Sequence, residues 1–225
     1  MKKFNLGFTV AEVIVALGIV GIVASTVVPM LTKNIQKQIF AATLARTVEQ
    51  FELGCRNLIE YENARATNGV GLISKLTDIT EISIDKLASF VGFQKTDRNI
   101  KESAIETYAL VPSNILVTTV YADDTPEETP LDVYKLNSID ATVSFLSSID
   151  LTKTSINDEI VGFIIDTNGT ANKPNMYGKD VFKFELLNNG KVKPYGNADD
   201  CKVGNVKDGK ACAARVVADG WKIKY

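Results

Sequence analysis

Val13-Ile-Val-Ala-Leu-Gly-Ile-Val-Gly-Ile-Val-Ala-Ser-Thr-Val-Val-Pro-Met-Leu31 is a run of 19 residues without an ionisable side chain, entered through Phe8-Thr-Val-Ala-Glu12. Wound as a helix at ~1.5 Å per residue it covers roughly 28 Å, about the hydrocarbon thickness of a bilayer. Ahead of it stands a short basic leader, Met1 to Gly7, with Lys2 and Lys3. Glu12 is the one charge in the apolar stretch that follows the leader. An acidic side chain at a membrane centre costs about 2.5–3.5 kcal/mol on insertion scales, so a carboxylate placed here calls for a partner.

Leu6-Gly7-Phe8-Thr9-Val10-Ala11-Glu12 resembles the processing site of type IV prepilins and type II secretion pseudopilins. The resemblance implies cleavage after Gly7 by a prepilin peptidase and N-methylation of Phe8. It also makes Glu12 the fifth residue of the mature chain. Gly18, Gly21 and Pro29 fall in the family's register. The likeness covers the first ~35 to 60 residues, which unrelated head domains share. It implies assembly on an inner-membrane platform into a homo- or hetero-filament, with lipid around the helix beforehand. In the filament, Glu12 of one subunit neutralises the terminal amine of Phe8 on its neighbour. Pairing in low dielectric offsets the desolvation of both charges and sets the axial register.

Two simpler readings explain less. A secretory signal has an apolar core of about 7–15 residues and a small-residue cut site, whereas this run is longer and is entered through a glutamate. A plain signal anchor accounts for length and apolarity but leaves Gly7, Phe8 and Glu12 without a reason. Charge alone does not orient the span, because Lys33, Lys37 and Arg46 follow it within the zone that counts. The cytoplasmic leader, and a head outside the cytoplasm, are what the family resemblance implies.

Beyond the span, Ile35, Ile39, Leu44, Val48, Phe51, Cys55, Leu58 and Ile59 recur at three- and four-residue steps. The stripe predicts that the helix continues as an amphipathic rod. Pro29 is expected to kink it or break one turn, and Gly54 to cost roughly 1 kcal/mol relative to alanine. Gly69 and Gly71 are the expected terminators. The organisation is therefore a leader at 1–7, an assembly helix at 8–31, its amphipathic continuation at 32–64 and a head at 65–225. The whole is an α+β chain of pilin-like layout with an antiparallel sheet.

In the head, Asp85 to Phe90 reads as a short helix. Ile115 to Tyr121, Ala141 to Leu146, Ile160 to Ile165 and Val181 to Leu186 read as strands, with Asn189-Gly190 turning a hairpin into Lys191-Val192-Lys193. Ala122 to Pro130 is acidic and proline-containing and reads as an exposed loop.

Hydrophobic residues make up 45% of the chain, enough for both a membrane helix and a core. Of 25 basic residues, 23 remain once Lys2 and Lys3 are removed, against 27 acidic ones, so the mature chain stands at about −4. Such a balance argues against nucleic acid as the main partner. With no histidine and no phosphate-cradling Gly-x-x-x-x-Gly-Lys, an enzyme is not expected. The expected role is a structural filament subunit, of a surface pilus or a secretion pseudopilus. The alternative is a minor subunit whose head binds a ligand or DNA at the fibre tip.

Three cysteines stand at 55, 201 and 212. In an oxidising compartment Cys201 and Cys212 are the expected pair, closing a short Gly- and Lys-rich loop, with Cys55 a buried hydrophobe on the helix stripe. The loop resembles the C-terminal disulfide loop of many type IV pilins, and its closure is worth up to ~3 kcal/mol. Asp166-Thr-Asn168-Gly-Thr170 and, further on, Asp180 gather oxygen donors around turn residues. Alternating Asp and Asn before Gly suits Ca²⁺, and major pseudopilins hold calcium in a C-terminal loop. The spacing departs from an EF-hand, with no glutamate at the twelfth position. The preferred reading is that these residues build turns. Asp166, Asn168 and Asp180 are the calcium candidates against it, and no other cofactor is expected.

Overall fold

A computed structural model describes residues 9–66, 72–107, 129–136, 139–201 and 209–225. Two compact units divide the chain, Met1–Ile39 and Phe40–Tyr225. Helix α1, Val10–Arg65, belongs to both. In the first unit it is a single apolar rod with its large side chains, from Val10 to Leu31, all exposed. Pro29 lies inside the helix without ending it. The hydroxyls of Ser25, Thr26 and Thr32 donate back to the carbonyls of Ile22, Val23 and Val28, so these polar groups are satisfied within the helix.

The second unit is an α+β head built on the remainder of α1. Ala41, Leu44, Val48, Phe51, Cys55 and Leu58 are buried, at the spacing that puts them on one helical face. Ile35 and Ile39, expected on the same stripe, stay exposed. Phe51 is the centre of the core: it stacks on Phe163 at 4.7 Å and lies within 6.0 Å of Phe93 and Phe145. After α1 the Asn63 amide donates to and accepts from the backbone of Ile73, clamping the returning chain to the helix's last turn. The expected stops Gly69 and Gly71 lie outside the described residues.

Helix α2, Ile84–Val91, starts at Ser83, whose hydroxyl accepts from the Lys86 amide, and ends at Gly92 in the left-handed region. Strands β1 (Phe93–Ile100), β2 (Glu106–Thr107), β3 (Leu131–Leu136), β4 (Thr142–Phe145), β5 (Glu159–Asp166), β6 (Met176–Tyr177), β7 (Val181–Leu187) and β8 (Val192–Pro194) form one mixed sheet. Its order is β1-β3-β4-β5-β7-β6-β2, with β8 also on β7. Pairing is antiparallel except at β2–β6 and β6–β7. A last helix, α3, spans Cys212–Ala218.

The expected strands at 141–146, 160–165 and 181–186 are present as β4, β5 and β7. The Asn189-Gly190 turn joins β7 to β8, with Gly190 at φ +80°. The expected strand Ile115 to Tyr121 lies outside the described residues, as does most of the expected loop Ala122 to Pro130.

Gly54 owes its place to packing. A Cβ there would sit 2.5 Å from Val91 Cα and 2.9 Å from its nitrogen, so α1 and α2 touch backbone to backbone. Overpacking of this kind costs about 1–3 kcal/mol. Gly54→Ala is therefore expected to lower the head's melting temperature, although alanine favours helix. A raised melting temperature in a thermal scan would show that the two helices separate freely.

Candidate functional site

The start of α1 is the first candidate. Gly7 and Phe8 lie outside the described residues, while Thr9 and Glu12 are in view. The Thr9 amide and hydroxyl both donate to Glu12 Oε2 at 2.8 Å, and the Glu12 amide donates to Thr9 Oγ1 at 3.2 Å. This reciprocal pattern is a capping box, Thr-x-x-Glu, which satisfies backbone donors that a helix N-terminus leaves open. The signal was present in the sequence and is separate from the processing-site resemblance. Glu12 thus has a local task, holding the first turn of the helix, besides any task between chains. An 18-residue window of α1 has a mean hydropathy of 2.5 and none of it is buried.

The second is the C-terminal loop. Cys201 and Cys212 are disulfide-bonded with Cα atoms 4.9 Å apart, and Cys55 is a free, buried thiol whose burial raises its pKa. Both cysteines of the bridge are buried, next to Tyr225.

The third is the Asp166, Asn168 and Asp180 group, which the fold does bring together. β5 ends at Asp166 opposite the first residue of β7, Val181, so Asp180 arrives beside it. Both carboxylates are buried. Asp180 Oδ1 accepts the Met176 amide at 2.9 Å, and Asp166 Oδ1 accepts the Asn168 amide at 3.2 Å. With its nitrogen facing the carboxylates, the Asn168 side chain donates to Asp166 Oδ1 at 2.6 Å and Asp180 Oδ2 at 3.2 Å. Asp166 Oδ2 is left buried without a hydrogen-bond partner.

This donor set does not fit calcium, which wants six to eight oxygens around it. Among the described residues no three His, Cys, Asp or Glu side chains gather where they could hold a metal. What the arrangement does instead is favour protons. Burial, then the neighbouring Asp180, pushes the Asp166 pKa up to about 7, and burial pushes Asp180 up to about 6. The surrounding turns match the turn reading: Asn172 and Asn175 amides donate to the Asn168 and Thr170 carbonyls, and Gly169 takes φ +80°.

Comparison with family models, with curated proteins and with solved structures finds no match to this chain. The architecture alone, a long apolar N-terminal helix followed by a mostly antiparallel sheet with a C-terminal disulfide, is pilin-like.

Proposed function

We propose that the chain is the structural subunit of a pilus-like filament, of the type IV pilus or type II secretion pseudopilus kind. A prepilin peptidase cuts after Gly7, and Phe8 becomes the methylated terminus. The protein waits in the cytoplasmic membrane as a single-pass subunit, its head outside the cytoplasm. An assembly platform then draws α1 out of lipid and into a bundle of like helices, in the periplasm or at the cell surface.

The observation that supports this reading is the contrast along α1. From Val10 to Leu31 every large apolar side chain is exposed, whereas from Ala41 the apolar face is buried in the head's own core. So large an apolar surface is satisfied by lipid or by neighbouring subunits. Neighbouring helices suit it equally well, because Gly18 and Gly21 leave open space on the rod, with nothing within 4 Å of a Cβ at either position.

The capping box sharpens the test of Glu12. Glu12→Gln keeps a side chain able to cap the helix but removes the charge that would meet the Phe8 amine of a neighbour. Filament recovered by shearing or from the periplasm is expected to fall at least about tenfold, the factor that ~1.4 kcal/mol of lost pairing implies. Helix content by circular dichroism is expected to be unchanged. Filament yield equal to the parent's in Glu12→Gln would end the charge-pairing role.

A further inference from the structure

The sheet's helix-facing side is filled by the aromatic core, and its other side is covered in part. Ile105, Ile164, Tyr177 and Val181 form a second, smaller buried cluster. Toward the β1 edge, among the described residues, lies a pocket of about 300 Å³. That size is at the lower end of small-molecule sites, roughly 300–1,000 Å³.

Three adjacent strands make its floor. β1 supplies Thr96 and Arg98, β3 supplies Val133 and Lys135, and β4 supplies Thr142, which pairs with Lys135 across the ladder. Val133 and Lys135 are two apart on β3 and so share a face, with Thr142 opposite Lys135. Arg98 lies inside an irregularity: between Lys95 and Asn99, four steps along β1 answer two along β3. Bulges re-aim side chains in this way beside functional sites.

The wall is the turn after β5, residues 168 to 172, and it is held firmly. The Thr170 amide donates to Thr142 Oγ1, the Asn172 amide to the Gly169 carbonyl and the Asn172 side chain to the Asn168 carbonyl. Gly169 lies so close to the Asp140 carbonyl that a Cβ would sit 2.7 Å from it. A pocket with this bracing is preorganised, which limits the ordering cost of binding.

Among the described residues its lining carries two cations, Arg98 and Lys135, and one carboxylate, Asp140, in a chain that is acidic overall. Arg98 makes no ion pair with a carboxylate among the described residues. Lys135 reaches only Asp140, at 3.5 Å, on a side chain that is 88% exposed and therefore weakly held. A guanidinium and an ammonium that line one pocket with hydroxyl and amide groups, against the single exposed carboxylate of Asp140, match an oxyanion with further polar groups attached.

We infer that the pocket formed by Arg98, Lys135, Thr142 and the 168–172 turn binds a compact polar ligand through an oxyanion, a carboxylate or a phosphate. The site does not depend on Glu12 or on polymerisation, so the filament reading and this one stand or fall separately. If both hold, the head is a binding module displayed on the fibre.

The test is isothermal titration of the full-length protein in detergent with glucuronate, inorganic phosphate and uncharged glucose. One or both oxyanion probes are expected to bind with a Kd on the order of millimolar or tighter, and glucose at least about tenfold more weakly. Glucuronate alone binding assigns a carboxylate-bearing ligand, and phosphate alone a phosphorylated one. Arg98→Gln and Lys135→Gln are each expected to weaken the bound probe by about tenfold, the loss of one charge-assisted contact. Lys191→Gln, on the β7–β8 turn, is the control and is expected to bind as the parent does. All three positions are solvent-exposed, so thermal scans are expected to show parent-like melting. The inference is overturned if neither oxyanion binds, if glucose binds as well as they do, or if Arg98→Gln binds unchanged.

Discussion

Asp166→Asn is expected to make the head more stable at pH 8, not less, and to flatten its stability between about pH 4 and pH 7. The side chain is buried, and one of its oxygens has no partner. Its folded pKa of about 7 stands above the ~3.9 of an unfolded chain. A carboxyl raised in this direction binds its proton more tightly in the folded state. Its stabilising contribution is complete below the unfolded value and is lost as pH rises through the folded one. Asp180, raised to about 6, acts in the same sense. At Asp166 alone the loss from pH 4 to pH 8 is on the order of 4 kcal/mol. An asparagine at 166 keeps the Oδ1 acceptor for the Asn168 amide and has no charge to bury. Urea unfolding followed by Trp221 fluorescence across this range checks it, since the parent-minus-variant difference cancels the titrations of groups remote from Asp166 and Asp180. Parallel curves would mean that the two carboxylates are ionised at little cost in the fold.

The second large effect is expected at Asn188. Its side chain is fully buried between three segments. The amide nitrogen donates to Thr77 Oγ1 and to the carbonyls of Lys153 and Ser155, and the amide oxygen accepts from the Thr77 amide. Its backbone also joins in, accepting from Leu76 and donating to Asp158. Asn188→Ala strands several buried backbone groups at once, each costing about 1–3 kcal/mol when left unpaired. A loss of roughly 3–5 kcal/mol in unfolding free energy is expected. Asn188→Asp separates hydrogen bonding from volume: it keeps the acceptor, removes the donors and adds a buried charge, so it should be at least as destabilised. A loss under 1 kcal/mol in Asn188→Ala would show that water replaces the amide there.

Helix α1 was legible because its signal is periodic and long, an apolar run followed by a three-and-four stripe. The central strands β4, β5 and β7 were legible for a related reason, being apolar and β-branched or alternating. β1 was not: Gln94 to Asn99 is six polar residues in a row, and among the described residues this edge strand is mostly exposed, so it needs no alternation. β3 was not singled out either. Of the site residues, the Cys201–Cys212 pair was readable from spacing and compartment. Asp166, Asn168 and Asp180 were readable as a group of oxygen donors, but the orphaned oxygen was not. The Thr9–Glu12 capping box was readable from local spacing and was overshadowed by the second meaning of the same glutamate.

By itself the sequence determined what is local and periodic: a helix able to cross a membrane, its amphipathic continuation, the turn at Asn189-Gly190 and the three clearest strands. Those follow from spacing along one chain, where neighbours in sequence are neighbours in space. Tertiary structure decided what depends on approach between distant segments. It set Gly54 against the Val91 backbone, Asn188 across Thr77, Lys153 and Ser155, and two aspartates 14 residues apart in one buried pocket. It also placed Arg98, Lys135 and the 168–172 turn around one pocket. Burial and charge proximity arise only when strands and helices pack, and no residue's own identity records which partner it will meet.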